Sequence, residues 1–395
     1  MDRREFFQST VVATLATQVL SDPALARAQA RAGTQAASAA TAAPRRLIMD
    51  AYTRHLHFLR TADEIAEAAI EMTCGGVNPT IQAYPGHIDP TRVATELPAF
   101  VKTMQKHGLR VKQVRGGNQT QVDATVEALV GTMGQLGVTH YWLGTDNYDL
   151  SKPIVPQLDA IKAKVDAFVK LNQKHGATLM YHTRAGANSV GSVVWDLLYV
   201  MKDFDPKYVG FHWDAGHMSH HGSNMWELLM RSAGPYVVAM AWKDRSWQQN
   251  LGLLGEGGPF PGPQPAVAAA AVPARGGGGG RGGGARGGGG GRGGGGGERT
   301  IPLPLASNTF ARGGGWSSPY VPMGTGLVDI FRYATVLRDI GFNGPMELEA
   351  EYPNGGSENA SDKLTLPQAQ VLGNLKRDVL TIRAAFEQSG TGLSI

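Results

Sequence analysis

A single cysteine, Cys74, stands in 395 residues. No intrachain disulfide can therefore form, and a chain of this length can build a core without one. Charge is also sparse: Asp, Glu, Lys and Arg make up 18% of the residues and leave a formal net charge of only +4. Much of that excess lies in the N-terminus and in a glycine tract, so no basic groove and no nucleic-acid partner are expected on the folded part. Long hydrophobic runs are lacking. The apolar stretch from Val11 to Leu20 is too short for a membrane span, and no other stretch is long enough. No nucleotide cofactor is expected.

What is present begins with the parts of an export signal in order. Arg3 and Arg4 are followed by Phe6 and Phe7, then the modest apolar run, then small residues at Ala28 and Ala30 that form an A-x-A cleavage site. The paired arginines point to the twin-arginine route, so residues 1–30 are expected to be a signal peptide and the mature protein periplasmic. Residues 31–44 are small and polar, as in a flexible lead-in. A second odd segment, within 255–297, is mostly glycine and carries Arg275, Arg281, Arg286 and Arg292. It cannot bury apolar surface and is expected to be a disordered insertion. Its arginine-glycine spacing resembles that of RNA-binding segments, but an exported chain would rarely meet RNA.

Removing these segments leaves about 300 residues, the size of one β/α barrel, expected over 45–390. Eight short apolar runs alternate with helical patterns: 46–51, 76–81, 110–114, 139–143, 177–182, 208–213, 236–242 and 345–351. That rhythm is the signature of β/α units. Thr61-Ala62-Asp63-Glu64 has the capping-box pattern, and Pro98 suits the first turn of a helix. Gln105-Lys106-His107-Gly108 and Gln173-Lys174-His175-Gly176 repeat between a helical stripe and a strand, so their histidines read as helix-end residues. The fold class expected is a single α/β (β/α)8 barrel with the glycine-rich insertion between strands seven and eight.

In such a barrel the active site collects at the C-terminal strand ends. In strand order those ends lead to His55 and His57, Tyr84 and His87, Arg115, Asp146, His182 and Arg184, Asp214 and His217, Lys243 and Asp244, and Glu347, Glu349 and Glu351. Polar groups at all eight ends suit a hydroxyl-rich ligand held by several hydrogen bonds. Two segments are the most specific. After Val209 to Trp213, Asp214 and His217 supply a carboxylate and an imidazole three residues apart, both ordinary ligands for a divalent metal, although an Asp that caps the next helix explains them equally. In Met346 to Tyr352 three glutamates alternate with Leu348 and Ala350 and so share one face. Buried together they need a cation or a proton.

These residues carry a resemblance. YHTR at 181–184, GFHWDAGHM at 210–218, AWKD at 241–244, PMGTGLVDI at 322–330 and GFNGPMELEAEY at 341–352 resemble, in order and spacing, the xylose isomerase-like barrel superfamily. That superfamily includes sugar phosphate isomerases and epimerases, inosose dehydratases and apurinic endonucleases. The likeness runs from about Leu47 to Phe386. In its epimerases a divalent metal is held by glutamate, aspartate, histidine and glutamate. The resemblance matches Asp214, His217, His182 and Glu349 to family positions. It implies Asp214, His217 and Glu349 as the candidate ligands of a divalent ion, Mn, Mg, Co or Zn. Two family positions are filled differently: the strand-five glutamate falls near Ala187 or Asn188, and the strand-seven histidine falls at Ala241. The rival to a metal is a pocket in which Lys243 supplies the positive charge.

The resemblance implies proton transfer next to a sugar carbonyl, which needs a base and a positive group beside the developing enediolate. The residues expected to carry it are Glu349, Asp214, Lys243 and His182. His57, His87, Arg115, His217, Trp242 and Glu351 are expected to bind the sugar, with Trp213 and Trp247 as further stacking surfaces. Elimination from an oxidised sugar and sugar binding without catalysis remain alternatives at this stage.

Overall fold

The structure is a computed structural model that describes residues 45–222, 225–249 and 316–395. The expected signal peptide, lead-in and glycine tract lie outside the described residues. Eight strands alternate with helices in the described parts: β1 (Met49–Tyr52), β2 (Gly76–Asn78), β3 (Gln113–Arg115), β4 (His140–Trp142), β5 (Thr178–His182), β6 (Val209–Asp214), β7 (Val237–Trp242) and β8 (Met346–Leu348). All neighbours pair in parallel, in the order β2-β1-β8-β7-β6-β5-β4-β3. The ends of that row meet: Val77 N–H donates to Arg110 O (2.9 Å) and Ile81 N–H to Arg115 O (2.7 Å), in parallel bridges that join the β2 and β3 segments into a ring. The strands fall where the apolar runs place them, but β8 ends at Leu348, so Glu349 and Glu351 lie on the loop that leaves it.

Around the ring stand α1 (Ala62–Glu71), α2 (Val93–Lys106), α3 (Ala124–Leu136), α4 (Ile154–His175), α5 (Val194–Met201), α6 (Ala215–Gly222), α7 (Trp226–Ala233), α8 (Ile330–Asp339) and α9 (Gln368–Gln388). Local chemistry sets several of their ends. Thr61 and Glu64 form the reciprocal capping box at α1, a motif in which the Ncap hydroxyl alone contributes about 1 kcal/mol. Gly176 closes α4 at φ 67°, where a side chain would be strained, and Gly108 does the same after α2 at φ 74°. His107 lies past the end of α2 with Nε2 2.7 Å from Asp63 of α1. Pro98 departs from the reading of the sequence. It lies inside α2, because Pro90–Arg92 already makes a turn capped by Asp89 and the helix starts at Val93. No helix among the described residues is long and apolar enough to cross a membrane.

Alternation along the strands divides the molecule into two interiors. Met49, Ala51, Val209, Phe211, Trp213, Met240, Trp242, Met346 and Leu348 belong to the large core between strands and helices. The opposite faces point into the ring. There Tyr52, Trp142, Met180 and Ala239 form a small separate apolar cluster. Many of the other ring-facing groups are polar, and Asp50, Asn78, Gln113, His212 and Glu347 are each 0% exposed. Such groups are stable inside a barrel only if they bond to one another, and they do: Gln113 donates to Asp50 (3.0 Å), and Asn78 donates to Glu347.

Candidate active site

Strands β5 to β8 bring their ends together around one ammonium. Lys243, immediately after β7, is 2% exposed, with Nζ 2.7 Å from Glu349 Oε2, 2.8 Å from Asp214 Oδ2 and 3.2 Å from Glu351 Oε2. Its stem runs against the first turn of α6. A Cβ on Gly216 would lie 2.8 Å from both Lys243 Cγ and Lys243 O, so that helix approaches only because position 216 has no side chain. The outer edge of the cluster is more open: Glu351 and Arg54, 3.6 Å apart, are 23% and 29% exposed.

Asp214 is held from several sides. Its backbone N–H donates to Thr183 Oγ1 (2.9 Å), and its Oδ1 accepts from the backbone N–H of His217 (2.7 Å). The Asp-x-x-His segment is thus both a helix cap and part of the cluster. Oδ2 faces Lys243, with His217 Nδ1 at 3.1 Å and His182 Nε2 at 3.2 Å. His217 Nδ1 also lies 2.9 Å from Thr183 O, and its Nε2 faces the Tyr320 hydroxyl at 3.4 Å.

Behind His182 runs a buried file of rings. His182 Nδ1 lies 3.0 Å from His212 Nδ1, and His212 Nε2 lies 3.4 Å from Glu347 Oε1. One proton serves the contact between the two Nδ1 atoms. If neutral His182 donates through Nε2 to Asp214, its Nδ1 accepts from His212, and His212 Nε2 is then an acceptor facing Glu347. At 3.4 Å neither His212 Nε2 nor Glu347 Oε1 has a hydrogen-bond partner, and a protonated Glu347 turned towards His212 would complete that order. Burial, reinforced by the charge of Glu349, pushes the Glu347 carboxyl well above its ordinary range. Trp142 stacks on His182 at 4.8 Å, and the Arg115 guanidinium lies 4.5 Å over Trp142.

Burial would raise Glu349 and Asp214 as well. For Glu349 burial is the largest single effect, but the charge and hydrogen bond of Lys243, with the neighbouring imidazoles, together outweigh it and hold the carboxyl well below its usual range. For Asp214, the charge of His217 once that ring is protonated, the charge of Lys243 and a hydrogen bond from His182 together hold it down. Burial would lower Lys243, but Asp214 and Glu349 keep it well above the ordinary lysine value. Burial lowers His182 and pushes His217 down to about 3, so both rings are neutral near pH 7. The cluster therefore holds a positive charge against ionised carboxylates, beside neutral imidazoles.

The expected site residues separate into two groups. Glu349, Asp214, Lys243, His182, His217 and Glu351 converge, and Arg115 borders them through Trp142. His57, His87 and Trp242 stand apart. His57 is 0% exposed, with Nε2 3.0 Å from Thr80 Oγ1 and Nδ1 3.1 Å from Ala360 O. His87 lies 3.1 Å from Leu59 O and lines an outer cavity of about 410 Å³ with Arg60, Tyr84 and Phe100. Trp242 points out of the ring because it alternates with Ala241 and Lys243, and it packs on Tyr333 and Phe386. Trp213 also faces outward, towards Phe211 and Tyr333, and Trp247 stacks on His220.

Among the other strand ends, Asp244 accepts backbone N–H bonds from Gly324, Gly326 and Val328, and so anchors the chain where it returns to the barrel. Asp146 is tied to Tyr181 and Lys164. None of His212, Tyr320, Thr183, Trp142 and Arg54 is singled out by the sequence, although the structure places all of them in or beside the cluster. His212 precedes Asp214 by two residues on β6, and period-two alternation alone could have found it. Tyr320 follows the insertion, and no local signal marks it.

The donor atoms of His182, Asp214 and His217 lie within 4.8 Å of one another, a group of suitable chemistry for a metal ion. Glu349, the third ligand expected, is not in that group. The Lys243 ammonium stands between it and Asp214, on the same Oδ2 atom that an ion would take. With Lys243 in place these residues do not fit a divalent ion.

No protein-family model matches the chain, and no curated protein matches it by sequence. Solved structures do match. An L-ribulose 3-epimerase has 12% identity and a TM-score of 0.52, over 87% of this chain and 95% of that one. A D-psicose 3-epimerase from Clostridium cellulolyticum H10, solved with D-tagatose, has 11% identity and a TM-score of 0.52, over 86% and 99%. A xylose isomerase-like TIM barrel protein from Mycobacterium smegmatis, solved with magnesium, has 12% identity and a TM-score of 0.51, over 88% and 99%. The chain thus has the fold of the xylose isomerase-like barrels, and at such identities the likeness concerns the fold alone.

Proposed function

We propose that this barrel is a sugar isomerase or epimerase that moves a proton next to a carbonyl, with Glu349 as base and Lys243 as the positive group beside the developing enediolate. One observation carries the reading: a fully buried lysine ammonium touches three carboxylates at the C-terminal mouth of the barrel. Burying that many charges is costly for a scaffold, where a hydrophobic packing of equal volume would serve as well. It is useful where charge must be stabilised during reaction.

The roles follow from the contacts. Glu349 Oε2 is bound to Lys243, whereas Oε1 is buried with no hydrogen-bond partner. Oε1 is the atom free to take a proton. Pairing with Lys243 keeps the carboxylate ionised but makes it a weak base. A substrate oxygen that accepts from Nζ would loosen that pair and raise the basicity of Glu349 when the substrate arrives. His182, oriented by His212, presents Nε2–H towards Asp214 and the bound oxygens. Tyr320, 5.5 Å from Nζ, and the Glu351–Arg54 pair form the border through which sugar hydroxyls would be held.

The neighbours of known activity include ketose 3-epimerases, which supports testing free ketoses first. The test is a screen of sugars and keto-sugars by product NMR, with and without manganese. Formation of an isomer of equal mass supports the reading. An unsaturated product would make the protein a lyase, and tight binding without conversion would make it a sugar-binding protein. We also propose that the protein is exported through its twin-arginine N-terminus. Intact mass of the periplasmic form should show loss of residues 1–30, and a cytoplasmic, full-length product would contradict it.

A further inference from the structure

The cluster around Lys243 has the charge and donors of a cation site. Asp214, Glu349 and Glu351 each direct an oxygen at one point, 2.7–3.2 Å from Nζ, and His182 Nε2 lies 3.2 Å from the Asp214 oxygen. Arg54 reaches only the outer carboxylate, Glu351, at 3.6 Å. Three carboxylates, Asp214, Glu349 and Glu351, face two side-chain cations, Lys243 and Arg54. Removing the lysine charge would leave an excess of two negative charges, which one divalent ion would balance. Adding such an ion beside the lysine would instead place a double charge next to an ammonium on a shared, buried oxygen. The group formed by His182, Asp214 and His217 meets the same obstacle, because it shares Asp214. The lysine is also built in: Gly216 leaves room for its stem, and no Cβ fits there.

We propose that Lys243 fills the centre of a latent divalent-cation site, so that the native protein binds no divalent ion at the barrel mouth and a neutral residue at 243 creates a site for one. The ligands would be Asp214, Glu349 and Glu351 with the His182 imidazole. An oxygen-rich set with one nitrogen suits manganese or magnesium. The inference rests on reading Lys243 as the positive group of the site, but its test needs no substrate, so failure to find a reactive sugar leaves it standing.

The experiment compares the full chain with its Lys243→Met variant, both stripped of metal and titrated with Mn²⁺ by calorimetry and electron paramagnetic resonance. The variant should bind one Mn²⁺ at least about 100-fold more tightly than the native protein, and Lys243→Met combined with Asp214→Asn should lose that binding. If Lys243→Met unfolds without metal, Mn²⁺ should restore its circular dichroism and raise its melting temperature, with no such rise in the native protein. Tight stoichiometric Mn²⁺ binding by the native protein would overturn the proposal. So would a variant, folded or unfolded, that gains neither affinity nor structure from the ion.

Discussion

The two halves of the barrel carry similar residues at their strand ends and use them differently. Beyond β1 and β2, His55 and His57 are buried and His87 half-buried against carbonyls and hydroxyls of neighbouring loops, as in the contact of His55 Nδ1 with Ser357 O at 3.2 Å. Beyond β5 to β8, His182, Asp214, His217, Lys243 and Glu349 bond chiefly to one another. In the first half, histidines satisfy backbone that strand-end loops leave open, and removal should cost stability. In the second half, charge is concentrated around one ammonium, and removal should cost chemistry. Residue type does not distinguish the halves; the identity of the bonding partner does.

The comparison is broken most directly at Glu349. Glu349→Gln should lower kcat on the substrate found by NMR by about 100- to 10,000-fold, the usual contribution of a general base, with an unchanged circular dichroism spectrum. Activity within a few-fold of native would remove Glu349 from the mechanism. Lys243→Met should cost about 100- to 1,000-fold in kcat, as the loss of an oxyanion-stabilising group does. A change confined to KM would instead mark the lysine as a binding residue.

Glu347→Gln sharpens the comparison within the active half. Glutamine keeps a donor next to His212 but cannot lose its proton, so the His182 tautomer should persist and kcat should fall less than about 10-fold. Glu347→Leu should change the ¹⁵N shifts of His182 and lower kcat further. Identical histidine spectra in all three proteins would separate Glu347 from His182. On the other half, His57→Ala should cost about 1–3 kcal/mol of stability by leaving the Ala360 carbonyl unpaired and Thr80 held by Thr53 alone, with KM unchanged. A large change in KM would bring His57 into the site.

A pH series tests burial of the histidines in both halves. Burial pushes His55 and His57 down to about 4 and His87, His140 and His217 down to about 3, and lowers His182 and His212 as well. Below their ordinary value of 6.5 the unfolded chain binds more protons than the folded one, so stability falls as pH drops. Asp50 and Asp378, both pushed up to about 6 by burial, and Asp196, Asp244 and Glu347, raised for the same reason, act in the opposite sense but are outnumbered by the seven histidines. The melting temperature should be flat from about pH 7 to 8 and decline between pH 6.5 and 4. A flat profile there would mean that the histidines are not buried in neutral form.

Much of this was legible in the sequence because alternation and strand-end position are local signals. The eight apolar runs, the capping box at Thr61 and the inward face of Glu347 and Glu349 all follow from period and spacing. Trp242 was misplaced although the same alternation that turns Lys243 inward turns its neighbour outward. His57 and His87 could not be separated from the site by sequence, because their partners, Ala360 and Leu59, are backbone carbonyls that any residue supplies. Lys243 forms ion pairs with three carboxylates, and the same contacts suit the proposed stabilisation of an enediolate, so residue type alone does not define its role.

The central claim is that Glu349 removes a proton from a carbon next to a carbonyl while Lys243 stabilises the developing enediolate. Incubating the protein with a panel of ketoses in deuterium oxide and following the carbon-bound protons by NMR tests it without foreknowledge of the product. Enzyme-dependent loss of the signal next to the carbonyl, absent in Glu349→Gln, is the predicted result. Full retention of that proton in every ketose bound by the native protein would contradict it.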